Sequence, residues 1–123
     1  MNIETFADDI TLYRENNESF SACLTLPEQL AVFEGHFPGK PILPGVAYVF
    51  IAEKLVGRFC QKPLKLKSLK KTKFFRPSEP QERLHIQGSV AFNAADENLL
   101  DAQVVFCDDQ KQRVSLVKMI MEL

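Results

Sequence analysis

The sequence predicts an α+β domain in which one long buried helix is wrapped by a curved antiparallel β-sheet, and three observations lead there. The stretch from Val46 to Phe59 is apolar around most of a helical circumference, whereas a helix lying on a protein surface keeps one polar face. The segments that follow switch to a period of two and are rich in Val, Leu, Ile and Phe, the pattern of half-buried strands. The length, 123 residues, suits a single domain spanning 1–123 with one hydrophobic core, so helix and sheet must cover each other.

Taken in order, the first element is a strand at Ser19 to Leu26, which alternates loosely and ends at Pro27. Glycines and prolines then cluster from Gly35 to Gly45 and mark a loop. The helix is expected over Val46 to Phe59, just past Pro44 and Gly45, with room for about four turns. Strands are expected at Leu64 to Phe75, Arg83 to Phe92, Leu99 to Cys107 and Arg113 to Met121. Pro77, Pro80 and the polar segments Asn93 to Asn98 and Asp108 to Gln112 separate them.

Composition excludes several classes of function. Apolar residues at 46% and charged residues at 25% are the balance of an ordinary globular chain. A net charge of -1 supplies no global attraction to nucleic acid or anionic lipid. The longest apolar run, Val46 to Ala52, falls well short of the ~20 residues of a membrane-spanning helix, so no membrane span is expected. Glu4, Asp8 and Asp9, with no basic flank before an apolar stretch, do not read as a secretory signal, and cytoplasm is the expected location. Cys23, Cys60 and Cys107 are odd in number and widely spaced, which argues against a disulfide framework and against zinc. No metal and no organic cofactor is expected. His85 stands in a strand without a motif around it and is read as structural.

The chemistry is concentrated in Phe33-Glu34-Gly35-His36-Phe37-Pro38-Gly39-Lys40-Pro41-Ile42-Leu43-Pro44-Gly45-Val46. Three prolines restrict φ and leave the loop few conformations, so His36 is held in place. Gly45 has no Cβ and opens the helix. Its unpaired N–H, reinforced by the helix dipole, can therefore approach a ligand oxygen and stabilise negative charge on it. A neutral imidazole, with an unperturbed pKa of ~6.5, suits proton transfer near neutral pH.

This run resembles the G-H-F-P-x-x-P-x-x-P-G-V signature of the FabA/FabZ-like 3-hydroxyacyl-acyl-carrier-protein dehydratases, which have the hotdog fold. Lys73-Phe74-Phe75-Arg76-Pro77 is similar to the K-F-R-R-P segment of those enzymes, while Ser78 to Glu82 departs from their V-x-P-G-D turn and is read as loop variation. The resemblance implies catalytic roles for His36 and Gly45 and places Phe37, Pro44, Val46 and Phe50 along the acyl substrate. It also implies an acyl-carrier-protein partner and a homodimer with two interface sites, or a heterodimer with a related hotdog chain. The family's helix carries a carboxylate fourteen positions after the histidine; here that position is Phe50, which cannot transfer a proton. Glu53, one turn further on, is either a substitute acid or, the favoured reading, a polar residue at the helix edge beside Lys54. Departures of this kind resemble the ApeI-type dehydratases of aryl-polyene pathways. There His36 would act with water or a held hydroxyl, or a partner subunit would complete the site. A catalytically silent subunit that binds acyl thioesters, or pairs with an active homologue, is the alternative; an acyl-thioesterase is the third. Between Glu53 and Glu79 there are only basic charges, Lys70, Lys71 and Lys73 among them, which form either a solvated strand face or a docking patch for an acidic carrier.

Overall fold

A computed structural model describes residues 2–30, 33 and 41–123. The chain runs α1 (Ile3–Asp9), β1 (Leu12–Arg14), β2 (Ser19–Thr25), α2 (Gly45–Cys60), β3 (Lys65–Phe74), β4 (Arg83–Phe92), β5 (Leu99–Cys107) and β6 (Arg113–Glu122). All six strands belong to one antiparallel sheet ordered β1-β2-β4-β5-β6-β3. The expected helix and the five expected strands lie within a residue of where the periodicity puts them. The sequence reading has no counterpart to α1 and β1. Seven residues are too few for helical periodicity to show, and α1 is announced only by Asn2, whose side chain accepts from the Thr5 N–H at 2.8 Å and caps the first turn.

Strands β4 and β5 bury every second residue, as period-two patterning requires, and turn Leu84, Ile86, Val90, Leu100, Val104 and Phe106 onto α2. The helix starts after Pro44 and ends at Gln61, which takes a left-handed φ of 55° and donates its N–H to the Arg58 carbonyl. Ala47, Tyr48, Val49, Ile51, Ala52, Leu55, Val56 and Phe59 are buried. One stripe of the helix is less covered than its composition suggests: Val46 is 74% exposed, and Phe50, Glu53 and Lys54 are half-buried. Part of the far half of that stripe is closed by α1, through an ion pair between Lys54 and Glu4 at 3.3 Å and a hydrogen bond from Arg58 Nη1 to the Ala7 carbonyl at 3.0 Å.

At the C-terminal end of α2 the packing is tight. Phe20 pairs in register with Gly88, and a Cβ on Gly88 would come within 2.1 Å of the Phe20 ring. That ring meets Phe59 at 5.0 Å between centroids. The Arg14 guanidinium lies 4.1 Å over the other aromatic partner, Phe59, and also donates to the Phe59 carbonyl.

Strand β3 closes the sheet and is exposed along almost its whole length. Register shifts between Leu66 and Ser68 and between Leu69 and Lys71 leave Lys67 and Lys70 out of its ladder with β6. Bulges and lysines are the usual ways to keep an edge strand from indiscriminate pairing.

Candidate active site

The site named by the sequence lies at the N-terminal end of α2. His36 and Phe37 fall outside the described residues; Pro41 to Val46, which lead from them into the helix, are described. The Leu43 N–H donates to the Ser78 carbonyl at 2.8 Å, which ties the end of the loop to the turn after β3. Gly45 is the first residue of α2, so the helix provides no carbonyl one turn earlier for its N–H. The need for glycine is steric. A Cβ there would come within 2.8 Å of Phe74 Cε2, and real Cβ atoms do not approach other atoms so closely.

Phe74 in turn packs against Tyr48, with centroids 5.8 Å apart, and Tyr48 meets Phe106 edge-on at 5.2 Å. Tyr48 is 1% exposed, and its hydroxyl is hydrogen-bonded to the fully buried Ser78 Oγ. Burial is the main cause holding the Tyr48 phenol above its ordinary pKa, against the opposing hydrogen bond from Ser78. The turn at Ser78 to Glu82, read from sequence as loop variation, holds a defined geometry. Gln81 has a φ of 69°, the left-handed region that suits the glycine of V-x-P-G-D, and its N–H donates to the Leu26 carbonyl at 2.7 Å. Arg76 closes the turn through Glu82 at 2.6 Å and Asp108 at 3.3 Å. The Arg76 pKa is raised, first by its hydrogen bond to Glu82.

Pro44, Gly45 and Val46 are thus brought together with Phe74. Phe50 lies one turn beyond Val46 on the same open stripe, with Lys54 Nζ 5.7 Å from its ring centroid. Glu53 stands apart, in a shallow concavity with Asp8, Lys54, Gly57 and Arg58, about 12 Å along the helix from Gly45 at 1.5 Å per residue. Burial raises its carboxyl above the ordinary range, and Lys54 opposes the shift. His85 faces solvent and pairs with Asp109 Oδ1 at 2.7 Å. The three cysteines are free. Among the described residues no group of three or more His, Cys, Asp or Glu is arranged to hold a metal ion, and no helix is long and apolar enough to cross a membrane. Sequence reasoning missed Tyr48 and Ser78. The available signal was a tyrosine in an otherwise apolar helix, since a buried phenol needs a partner somewhere.

Known proteins agree with this architecture. The structure of the dehydratase heterocomplex ApeI:P from Xenorhabdus doucetiae superposes with a TM-score of 0.76 at 23% identity, covering 92% of this chain and 95% of that one. Thioesterase superfamily member 2 from Mus musculus superposes with a TM-score of 0.75 at 14% identity, covering 98% and 86%. Such likenesses define the class of protein: a hotdog fold. The family follows from sequence. Residues 13–114 match the ApeI-like family, described as ApeI dehydratase. A 3-hydroxyacyl-[acyl-carrier-protein] dehydratase FabZ from Sulfurimonas denitrificans is 30% identical over 128 residues, 94% of this chain and 85% of the relative. The chain belongs to the ApeI-like dehydratase family.

Proposed function

We propose that this protein dehydrates a 3-hydroxyacyl thioester carried on acyl carrier protein to the trans-2-enoyl thioester. The observation that carries the reading is the start of α2, where Gly45 stands in the G-H-F-P-G-K-P-I-L-P-G-V run and the Phe74 ring lies where a Cβ would come within 2.8 Å of it. The Gly45 N–H binds the thioester carbonyl oxygen and stabilises the charge that builds on it as the α-proton leaves. The His36 imidazole takes that α-proton. The carbon–oxygen bond to the β-hydroxyl then breaks, and the imidazolium returns its proton to the departing oxygen. Water and the double bond are the products, and the histidine ends as it began. With Phe50 where the family has a carboxylate, one imidazole serves as both base and acid, while Phe50 and Val46 line the acyl chain and Phe37 and Pro44 flank the thioester.

A second hotdog chain, its own copy or a related one, is the partner this reading requires. The support is an unpaired, exposed β3 edge beside exposed Val46, Leu69, Phe74 and Phe75. Lys70 stands out of the ladder beside Lys71, and Lys71 pairs directly with Lys118, a like-charge pair that favours an acidic carrier. The catalytically silent subunit remains the second reading because of Phe50; a thioesterase is less supported, since the thioesterase neighbours share the fold at low identity.

The test is His36→Ala, assayed for hydration and dehydration with a 3-hydroxyacyl-carrier substrate. Turnover should fall about 10²- to 10⁴-fold with the thermal transition unmoved. Wild-type protein that turns over no such substrate, alone or with a homologous partner, would sink the dehydratase reading and leave the silent subunit.

A further inference from the structure

The proposed chemistry leaves one buried polar pair unused. Tyr48 sits three residues into α2 from Gly45, with its hydroxyl in the core, where phenylalanine would bury the same ring without a polar atom. The hydroxyl is satisfied by Ser78 Oγ, thirty residues away and itself fully buried. Ser78 stands where the V-x-P-G-D turn has its valine, so both partners are polar together. The Ser78 carbonyl also accepts the Leu43 N–H at 2.8 Å, two residues ahead of Gly45. The other face of the tyrosine leads to the same place, because its ring backs Phe74, and Phe74 lies against Gly45. Gly45 is therefore reached from Tyr48 by two routes, a hydrogen-bonded one through Ser78 and Leu43 and a packed one through Phe74. The turn that carries Ser78 is anchored in its own right by Arg76 to Glu82 and Asp108, and by Gln81 to Leu26.

We propose that Tyr48 and Ser78 are a positioning pair that holds the Gly45 amide and the adjoining loop in register with the substrate. The assignment rests on the dehydratase reading for its catalytic consequence, though its structural half does not. Tyr48 touches no reacting atom in this scheme and acts through Leu43 and Phe74.

The experiment uses Tyr48→Phe, Ser78→Ala and the double variant, each assayed on the 3-hydroxyacyl-carrier substrate, with amide hydrogen exchange at Leu43 measured in parallel. Ser78→Ala alone leaves a buried hydroxyl without its partner and is expected to be the least stable. The double variant removes both hydroxyls and should recover stability. A merely structural pair would have activity recover with it. A positioning pair would not: kcat of the double variant should stay ten- to a hundredfold below wild type, with KM nearly unchanged, and no lower than that of Tyr48→Phe, because the two side chains act as one unit. Leu43 amide exchange should quicken about tenfold in all three variants, reporting local opening of the loop. Wild-type kcat in the double variant, or unchanged exchange at Leu43, would overturn the proposal. If wild-type protein had no turnover the dehydratase reading would fall by itself, and Leu43 exchange alone would decide whether the pair holds the loop.

Discussion

At the N-terminal end of α2 the Phe74 ring lies against Gly45, where a Cβ would come within 2.8 Å; at the C-terminal end the Phe20 ring, itself against Phe59, lies on Gly88, where a Cβ would come within 2.1 Å. Both places seat an aromatic ring on a missing side chain, yet their surroundings differ. Phe20 is fully buried, and the close approach serves packing density. Phe74 is half exposed, its neighbours include the polar Tyr48–Ser78 pair, and the glycine it covers is the first residue of α2. The same steric device therefore builds core at one end of the helix and, at the other, sets a half-exposed ring over the glycine that the proposed chemistry uses. What separates them is exposure, since the Phe74 ring keeps one side open to solvent while Phe20 is closed in on all sides.

That contrast can be broken by parallel substitutions. Gly45→Ala keeps the backbone N–H, but the added methyl and the shifted Phe74 ring should displace that amide from the carbonyl oxygen. That should lower kcat by up to about 10²-fold, the usual cost of losing one oxyanion donor, while the melting temperature drops little because a half-exposed Phe74 can turn aside. An unaltered rate would show that neither the methyl nor the moved ring disturbs the amide, and the steric account of this end would fall. Gly88→Ala should do the reverse. The fully buried Phe20 has nowhere to go, so overpacking should cost at least about 3 kcal/mol in denaturant unfolding, while kcat per folded molecule holds. Should Gly88→Ala be as stable as wild type, the packing account of that end is wrong.

Smaller effects sharpen the picture away from the two rings. Charge reversal at Lys70, Lys71 and Lys73 should weaken carrier-protein affinity more at low salt than at high salt, since exposed charges are screened beyond about 10 Å at 0.1 M. Binding that loses nothing at either salt concentration would return these lysines to a solvated strand face. Smallest is Glu53→Gln. Burial holds the Glu53 carboxyl above its ordinary value, so the folded protein binds that proton more tightly than the unfolded chain. Its ionisation therefore subtracts stability as pH rises through the ordinary value of 4.5, and the cost is complete above the raised one. The glutamine variant should melt slightly higher than wild type at pH 7 and equal it at pH 4, with turnover unchanged. A clear loss of turnover would instead give Glu53 the acid role that Phe50 cannot fill.

Much of this protein was legible before any coordinates. A period of two over Arg83 to Phe92 and Leu99 to Cys107 is a property of neighbouring residues on a pleated backbone, and both strands came out with those same ends. A glycine where the helix begins was legible from the proline-rich run before it, while the ring that covers it was not. Helix α1 stayed hidden because two buried residues in one short helix make no periodic signal. Glu53 could be named from residue spacing, but that it sits beside Asp8 and Arg58 could not, because the packing of α1 on α2 puts them there.

Sequence alone therefore determined the order of the long helix and five of the six strands, the hydrophobic faces and the family to which the loop points, since each depends on interactions within a few residues. Tertiary structure decided which aromatic ring lies on which glycine, that Tyr48 finds Ser78 thirty residues away, and that β3 is left as the open edge. Those outcomes depend on how the sheet closes around α2. Closure is set by strand register and by two bulges in β3, which no local pattern specifies, because the partners meet only after the chain has folded.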